Sequence, residues 1–148
     1  MEDSFFIEER LIMENYVKQI LVVRTKYPDN NGGTRKLRTG KLIAQAAHAS
    51  MAFLTNKIRA ISPEEPITLT EEEKIWIHDK FTKICVYVET EEELLDLYQK
   101  AKENNLTAEL ITDSGLTEFN NVPTITALAI GPHYSDKMQT ITGHLPLM

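Results

Sequence analysis

Three short runs of β-branched and other apolar residues constrain this chain more than any other feature. VKQILVVR at 17–24, TKICVYV at 82–88 and TITALAI at 124–130 have the length and composition of buried strands, and TAELI at 107–111 reads as a fourth. The segments between them follow a different period. TGKLIAQAAHASMAF, from Thr39 to Phe53, repeats small and apolar residues at helical spacing and predicts a helix from Gly40 or Lys41 to about Arg59, with Thr39 as its cap. TEEELLDLYQKAKENN at 90–105 places Leu94, Leu97, Tyr98 and Ala101 on one face behind a Thr90–Glu93 capping box, and Thr70–Glu73 opens a shorter helix in the same way. Strands alternating with helices imply an α/β fold. The strand–helix–strand passage from 82 to 111 implies a parallel pair with a right-handed crossover. With 148 residues, one domain is expected. Its fold class is α/β, a mixed sheet of about four strands with helices on both faces.

Several function classes are disfavoured at once. The longest uncharged apolar run falls well short of the ~20 residues that span a bilayer, so no membrane association is expected. The first sixteen residues carry five acids and one base, which fits neither a secretory leader nor a transit peptide. Lone Cys85 forms no internal disulfide and no cysteine–zinc cluster, which fits a reducing, cytoplasmic setting. A nucleotide-binding P-loop is suggested by GGTRKLRTGK but fails in detail: six residues separate Gly33 from Gly40, and Leu42 follows Lys41 where a hydroxyl is needed. His48, His78, His133 and His144 are scattered without ligand spacing, so no metal and no cofactor are expected.

A net charge of −6 argues against nucleic acid until its distribution is considered. Arg24, Lys26, Arg35, Lys36, Arg38 and Lys41 crowd one stretch whose only acid is Asp29, a local +5 against −11 elsewhere. Such a stretch is either a solvated loop or an anion-binding surface. On the adjoining helix, Lys41, Gln45 and His48 fall within about 60° of one another around the axis, a polar stripe opposite the apolar face. Asp113 directly follows a predicted strand in DSGLT, and in α/β sheets sites gather beyond strand carboxyl ends. It reads equally as an Asx-turn residue before Gly115 or as a carboxylate that, beside Lys41 and a helix N-terminus, orients a water near a developing oxyanion.

QILVVR, GKLIAQAAHASM, EEELLDLYQKAKENNL, LITDSGLTEF, PTITALAIGP and ITGHLPLM resemble, in order, the landmarks of the archaeal and eukaryotic, or type two, peptidyl-tRNA hydrolases. The resemblance covers residues 17–148 and leaves 1–16 as an N-terminal extension, either an amphipathic cover or dimer contact, or a disordered tail. It implies hydrolysis of the ester between peptide and tRNA, recycling tRNA from stalled translation without DNA or cofactor, and a homodimer as the family's common assembly. Carried over position by position, it implicates Lys41, Asp113, Thr117 and Thr124 in the chemistry. Gly40, Gln45, His48, Gly115 and Thr126 join them in substrate binding, with Arg35, Lys36 and Arg38 on tRNA phosphates. Ser114 stands where the family often has alanine, FNNVP is one residue longer than the commoner form, and the loop YPDNNGGTRK is longer than usual. The alternative is a non-catalytic module that holds tRNA ends or a protein on the same fold.

Overall fold

The computed structural model describes residues 15–116 and 118–148. A four-stranded mixed sheet runs β4-β1-β6-β5, built from β1 (Val17–Arg24), β4 (Thr82–Val88), β5 (Ala108–Asp113) and β6 (Thr124–Tyr134). Its helices are α1 (Thr39–Arg59), α2 (Glu71–His78), α3 (Glu91–Glu103) and α4 (Ser135–Thr142). The alternation of side chains along each strand decides which helix covers which face. Ile20, Val22, Leu128 and Ile130 point to the side where Leu94, Leu97 and Ala101 of α3 and Met138 and Ile141 of α4 are buried. Leu21, Val23, Ala127 and Ala129 point to the other, against Ala49 and Ala52 of α1. Small residues on α1 allow it to lie close to the sheet, and the Gln19 side chain ties it there by donating to the Ser50 carbonyl at 2.9 Å.

The two strands of the 82–111 passage run parallel in one sheet, as expected, but they are not hydrogen-bonded to each other. β4 pairs in parallel with β1, and β5 pairs only with β6, antiparallel. The connection through α3 therefore crosses two intervening strands, because the apolar β6, the last strand in the chain, enters between β1 and β5. Two further features carry no signal in the sequence pattern. The loop after β1 holds a small hairpin, β2 (Tyr27–Pro28) with β3 (Thr34–Arg35), and β6 continues through Gly131–Pro132 to lead directly into α4. The Thr70–Glu73 capping box is complete, but at Thr90 the Glu93 carboxylate accepts from the threonine hydroxyl instead of the backbone. Beyond α4, the Val86–Leu147 bridge and the Met148 amide donating to the Cys85 carbonyl cover the outer edge of β4. No helix of the described residues is long and apolar enough to cross a membrane.

Candidate active site

The carboxyl ends of β1, β4 and β5, the start of β6 and the N-terminus of α1 meet at one edge of the sheet. Asp113 is the last residue of β5, and Thr124, the first of β6, is its partner across the ladder. Lys41 lies in the first turn of α1, close enough for its Nζ to sit 2.6 Å from Asp113 Oδ2. One turn on, Gln45 donates from Nε2 to the same Oδ2 at 3.0 Å. Its other amide atom, Oε1, accepts from the Thr126 hydroxyl at 2.5 Å. Thr126 and Gln45 are both buried; the carboxylate only accepts, so it holds the amide with its NH₂ toward Asp113, and the Thr126 hydroxyl supplies the donor that the buried Oε1 then needs. The second carboxylate oxygen, Oδ1, accepts the Gly115 N–H at 2.8 Å.

Three contacts therefore converge on one carboxylate whose side chain is 8% exposed. Burial alone would push the Asp113 carboxyl up. The Lys41 hydrogen bond, the Gly115 amide, the Lys41 charge and the Gln45 amide outweigh it and hold the group below its ordinary range. Asp113 is thus an anion at neutral pH. The carboxylate closes a turn onto Gly115 and at the same time faces the lysine. Only glycine fits at 115: its φ is +84°, and a Cβ there would meet the Val122 carbonyl oxygen at 2.2 Å. Gly40 differs, because a Cβ at that position would meet nothing within 4 Å. The N-cap of α1 is Arg38 and makes no side-chain cap, so Thr39 lies within the first turn and does not cap it. The first turn itself contains no acidic residue, and the positive end of the helix lies beside Lys41.

The remaining candidates divide. Thr124 is half-buried and donates to the Val122 carbonyl at 2.8 Å. His48 lies on the exposed part of α1 two turns from Lys41, outside the Thr126–Gln45–Asp113–Lys41 chain. Thr117 lies outside the described residues. The basic stretch is far less positive in space than in sequence. Arg24 is buried, donating to the Lys26 and Ile125 carbonyls. Lys26 pairs with Glu89. Arg38 donates from Nε to Glu118 Oε1 at 2.6 Å, and Arg35 donates to the Glu118 carbonyl while stacking over the Phe119 ring. Lys36 is exposed, with no ion-pair partner among the described residues. Glu118 is the site residue that sequence reasoning missed. It lies 80 positions from Arg38, and only its place in the loop after Asp113 hinted at it.

Between that loop and the β2–β3 hairpin opens a cleft of about 610 Å³, bounded by Tyr27, Arg35, Glu118, Phe119, Asn120 and Thr124. Among the described residues, no group of three or more His, Cys, Asp or Glu is placed to hold a metal ion. Cys85 is half-buried and its thiol is pushed up by burial, which keeps it in the unreactive protonated form.

Comparison with known proteins converges on one family. The sequence model described as peptidyl-tRNA hydrolase PTH2 matches residues 17–148. A protein named peptidyl-tRNA hydrolase from Methanopyrus kandleri is 38% identical over 88% of this chain and 97% of its own length, and one from Methanocaldococcus jannaschii is 36% identical over 89% and 100%. A probable peptidyl-tRNA hydrolase 2 from Dictyostelium discoideum is 33% identical over 88% of this chain and 54% of its own. With its landmarks matched along nearly the whole length, the chain belongs to the PTH2 family of peptidyl-tRNA hydrolases.

Proposed function

We propose that this chain hydrolyses the ester between peptide and tRNA in peptidyl-tRNA, with Lys41 and Asp113 as its central pair. The supporting observation is the 2.6 Å contact between those two side chains at the uncapped end of α1. A carboxylate offers about four acceptor positions, of which Lys41, Gln45 and the Gly115 amide take three. The remaining position, on Oδ1, is suited to a water hydrogen. Asp113 orients that water and draws its proton as the oxygen attacks the ester carbonyl. Lys41 and the first-turn amides of α1 stabilise the negative charge that develops on the carbonyl oxygen. The C–O bond to the ribose then breaks, and the ribose oxygen takes up the proton. A ribose hydroxyl is a better leaving group than an amine, so this chemistry requires no covalent nucleophile. Thr124 and Thr117 position the ester, and Gly40 leaves room for its close approach.

Lys36 contacts tRNA phosphate directly. Arg35 and Arg38 do so once phosphate replaces the Glu118 carboxylate. Exposed Ile43, Met51 and Ile58 fall on one stripe of α1, and this apolar face supports a homodimer, which sedimentation at graded concentrations checks. The expected setting is the cytoplasm, where translation supplies the substrate. Purified protein incubated with peptidyl-tRNA and assayed for released peptide tests the reading: binding without release makes the chain a tRNA-holding module instead.

A further inference from the structure

The cleft between the β2–β3 hairpin and the loop after β5 adjoins the Lys41–Asp113 pair without being lined by either residue. Thr124 lines it and stands opposite Asp113 in the β5–β6 ladder, so a ligand in the cleft lies beside the reacting centre. Its volume, about 610 Å³, is within the range of small-molecule sites. Its charges are already engaged. Asp29 Oδ1 accepts the Asn31 and Gly33 amides, each at 2.8 Å, and Glu118 is taken by Arg35 and Arg38. The uncharged polar lining includes Asn30, Asn31, Asn120 and Thr124, backed by the buried Tyr27 and Phe119 rings, whose faces are covered by Arg24 and Arg35.

With Arg35 and Arg38 held by Glu118 and the Asp29 carboxylate capping its own turn, this lining suits a neutral ligand rich in hydrogen-bonding groups. The two sides of the scissile ester differ in the same respect. Peptides vary from substrate to substrate, but the terminal nucleotide of tRNA is always adenosine, and side-chain amides discriminate well only against a constant partner. An asparagine amide matches the edge of adenine, donating to one ring position and accepting from the exocyclic amine. We propose that this cleft is the subsite for the terminal adenine of the substrate, read by the side-chain amides of Asn30, Asn31 and Asn120. The proposal rests on the hydrolytic reading above and adds a specificity site to it.

The test uses N-acetylaminoacyl esters of adenosine and of uridine as minimal substrates, alongside full peptidyl-tRNA. Variants are Asn30→Ala, Asn31→Ala and Asn120→Gly; Asn120 has φ +52°, so glycine removes the amide without straining the backbone. Expected is a preference for the adenosine ester of about ten-fold or more in kcat/KM, which at least one variant reduces several-fold through KM while kcat and the uridine ester are unaffected. Equal use of both esters by the unaltered protein overturns the proposal. So does a loss in the variants that depends on the peptide side chain, which would place the peptide in the cleft. Equilibrium dialysis of adenosine against the same proteins separates this proposal from the hydrolytic reading. Binding weakened by the variants supports the subsite even in a chain that releases no peptide, and binding that ignores them refutes it even in an active one.

Discussion

Replacing Thr126 with valine tests whether the buried amide chain, and not only the ion pair at its end, sets the active carboxylate. Thr126 is 1% exposed and Gln45 6%, so no water replaces the missing hydroxyl easily. Two outcomes are open to the amide. It keeps its orientation and leaves Oε1 as a buried acceptor without a donor, or it turns over and aims that oxygen at the Asp113 carboxylate, where two acceptors repel. A buried unsatisfied group costs about 1–3 kcal/mol. For a domain of this size that corresponds to a fall in Tm of roughly 3–10 °C. Thr126→Ser is the control: it keeps the hydroxyl and removes only a buried methyl, at about 1 kcal/mol. Stability alone does not separate the two variants well, but turnover does. Without a steady hydrogen bond from Gln45, Asp113 is held less firmly, and the valine variant is expected to lose about ten-fold in kcat while the serine variant stays near the parent. Thermal denaturation and peptide-release kinetics on all three proteins check this. Equal kcat for the valine and serine variants would refute the idea that Thr126 acts through Gln45.

Three other perturbations separate structural from functional roles. Glu118→Gln removes the charge that holds Arg38, while Arg35 keeps its bond to the Glu118 carbonyl, so tRNA should bind more tightly and log K should fall more steeply with log salt, by about 0.7–0.9 for each phosphate newly contacted; an unchanged slope would leave Arg38 off the phosphates. Gly40→Ala points a methyl into open space and favours the helix, so the fold should hold or gain stability while kcat/KM drops if the ester passes close by; full activity would remove Gly40 from the site. Asp113 has a folded pKa below its unfolded value, so its ion pair adds stability above the ordinary carboxylate range and loses it only as pH falls through the lowered value. Its ionisation therefore keeps kcat/KM flat from pH 7 to about 5, and an acid limb in that interval that disappears in Asp113→Asn would contradict the assignment.

Much of this arrangement is written locally in the chain. The helical period of 39–59, the β-branched strands and the Thr70–Glu73 box each depend on neighbours a few residues apart, and each forms where the spacing predicts. The polar stripe of α1 is legible as a spacing but not as a side: Gln45 is buried with Ala49, Ala52 and Phe53 while Ile43 of the expected apolar face is exposed, and the stripe's three members have different fates. Lys41 and Gln45 meet Asp113, whereas His48 lies exposed, because two turns carry it away from the end of the sheet. What escaped the sequence depends on pairings between distant segments. Periodicity does not reveal that β6 enters between β1 and β5, which separates β5 from β4. Charge counting within residues 24–41 does not register Glu89 and Glu118, the acids that engage three of its bases. The β2–β3 hairpin rests on two residues per strand and on Asp29 capping its turn, too short a pattern to stand out from a loop.

The central claim is that Lys41 and Asp113 act on one transition state, and peptide release from peptidyl-tRNA by Lys41→Ala, Asp113→Asn and the double variant tests it most directly. Each single change should lower kcat by about 10² to 10⁴ with the fold retained by circular dichroism, the range for a positioned acid–base group or an oxyanion donor. The double variant should lose far less than the product of the two, because either change already disables the shared step. Near-normal turnover in both single variants, or losses that multiply in full, would contradict the account.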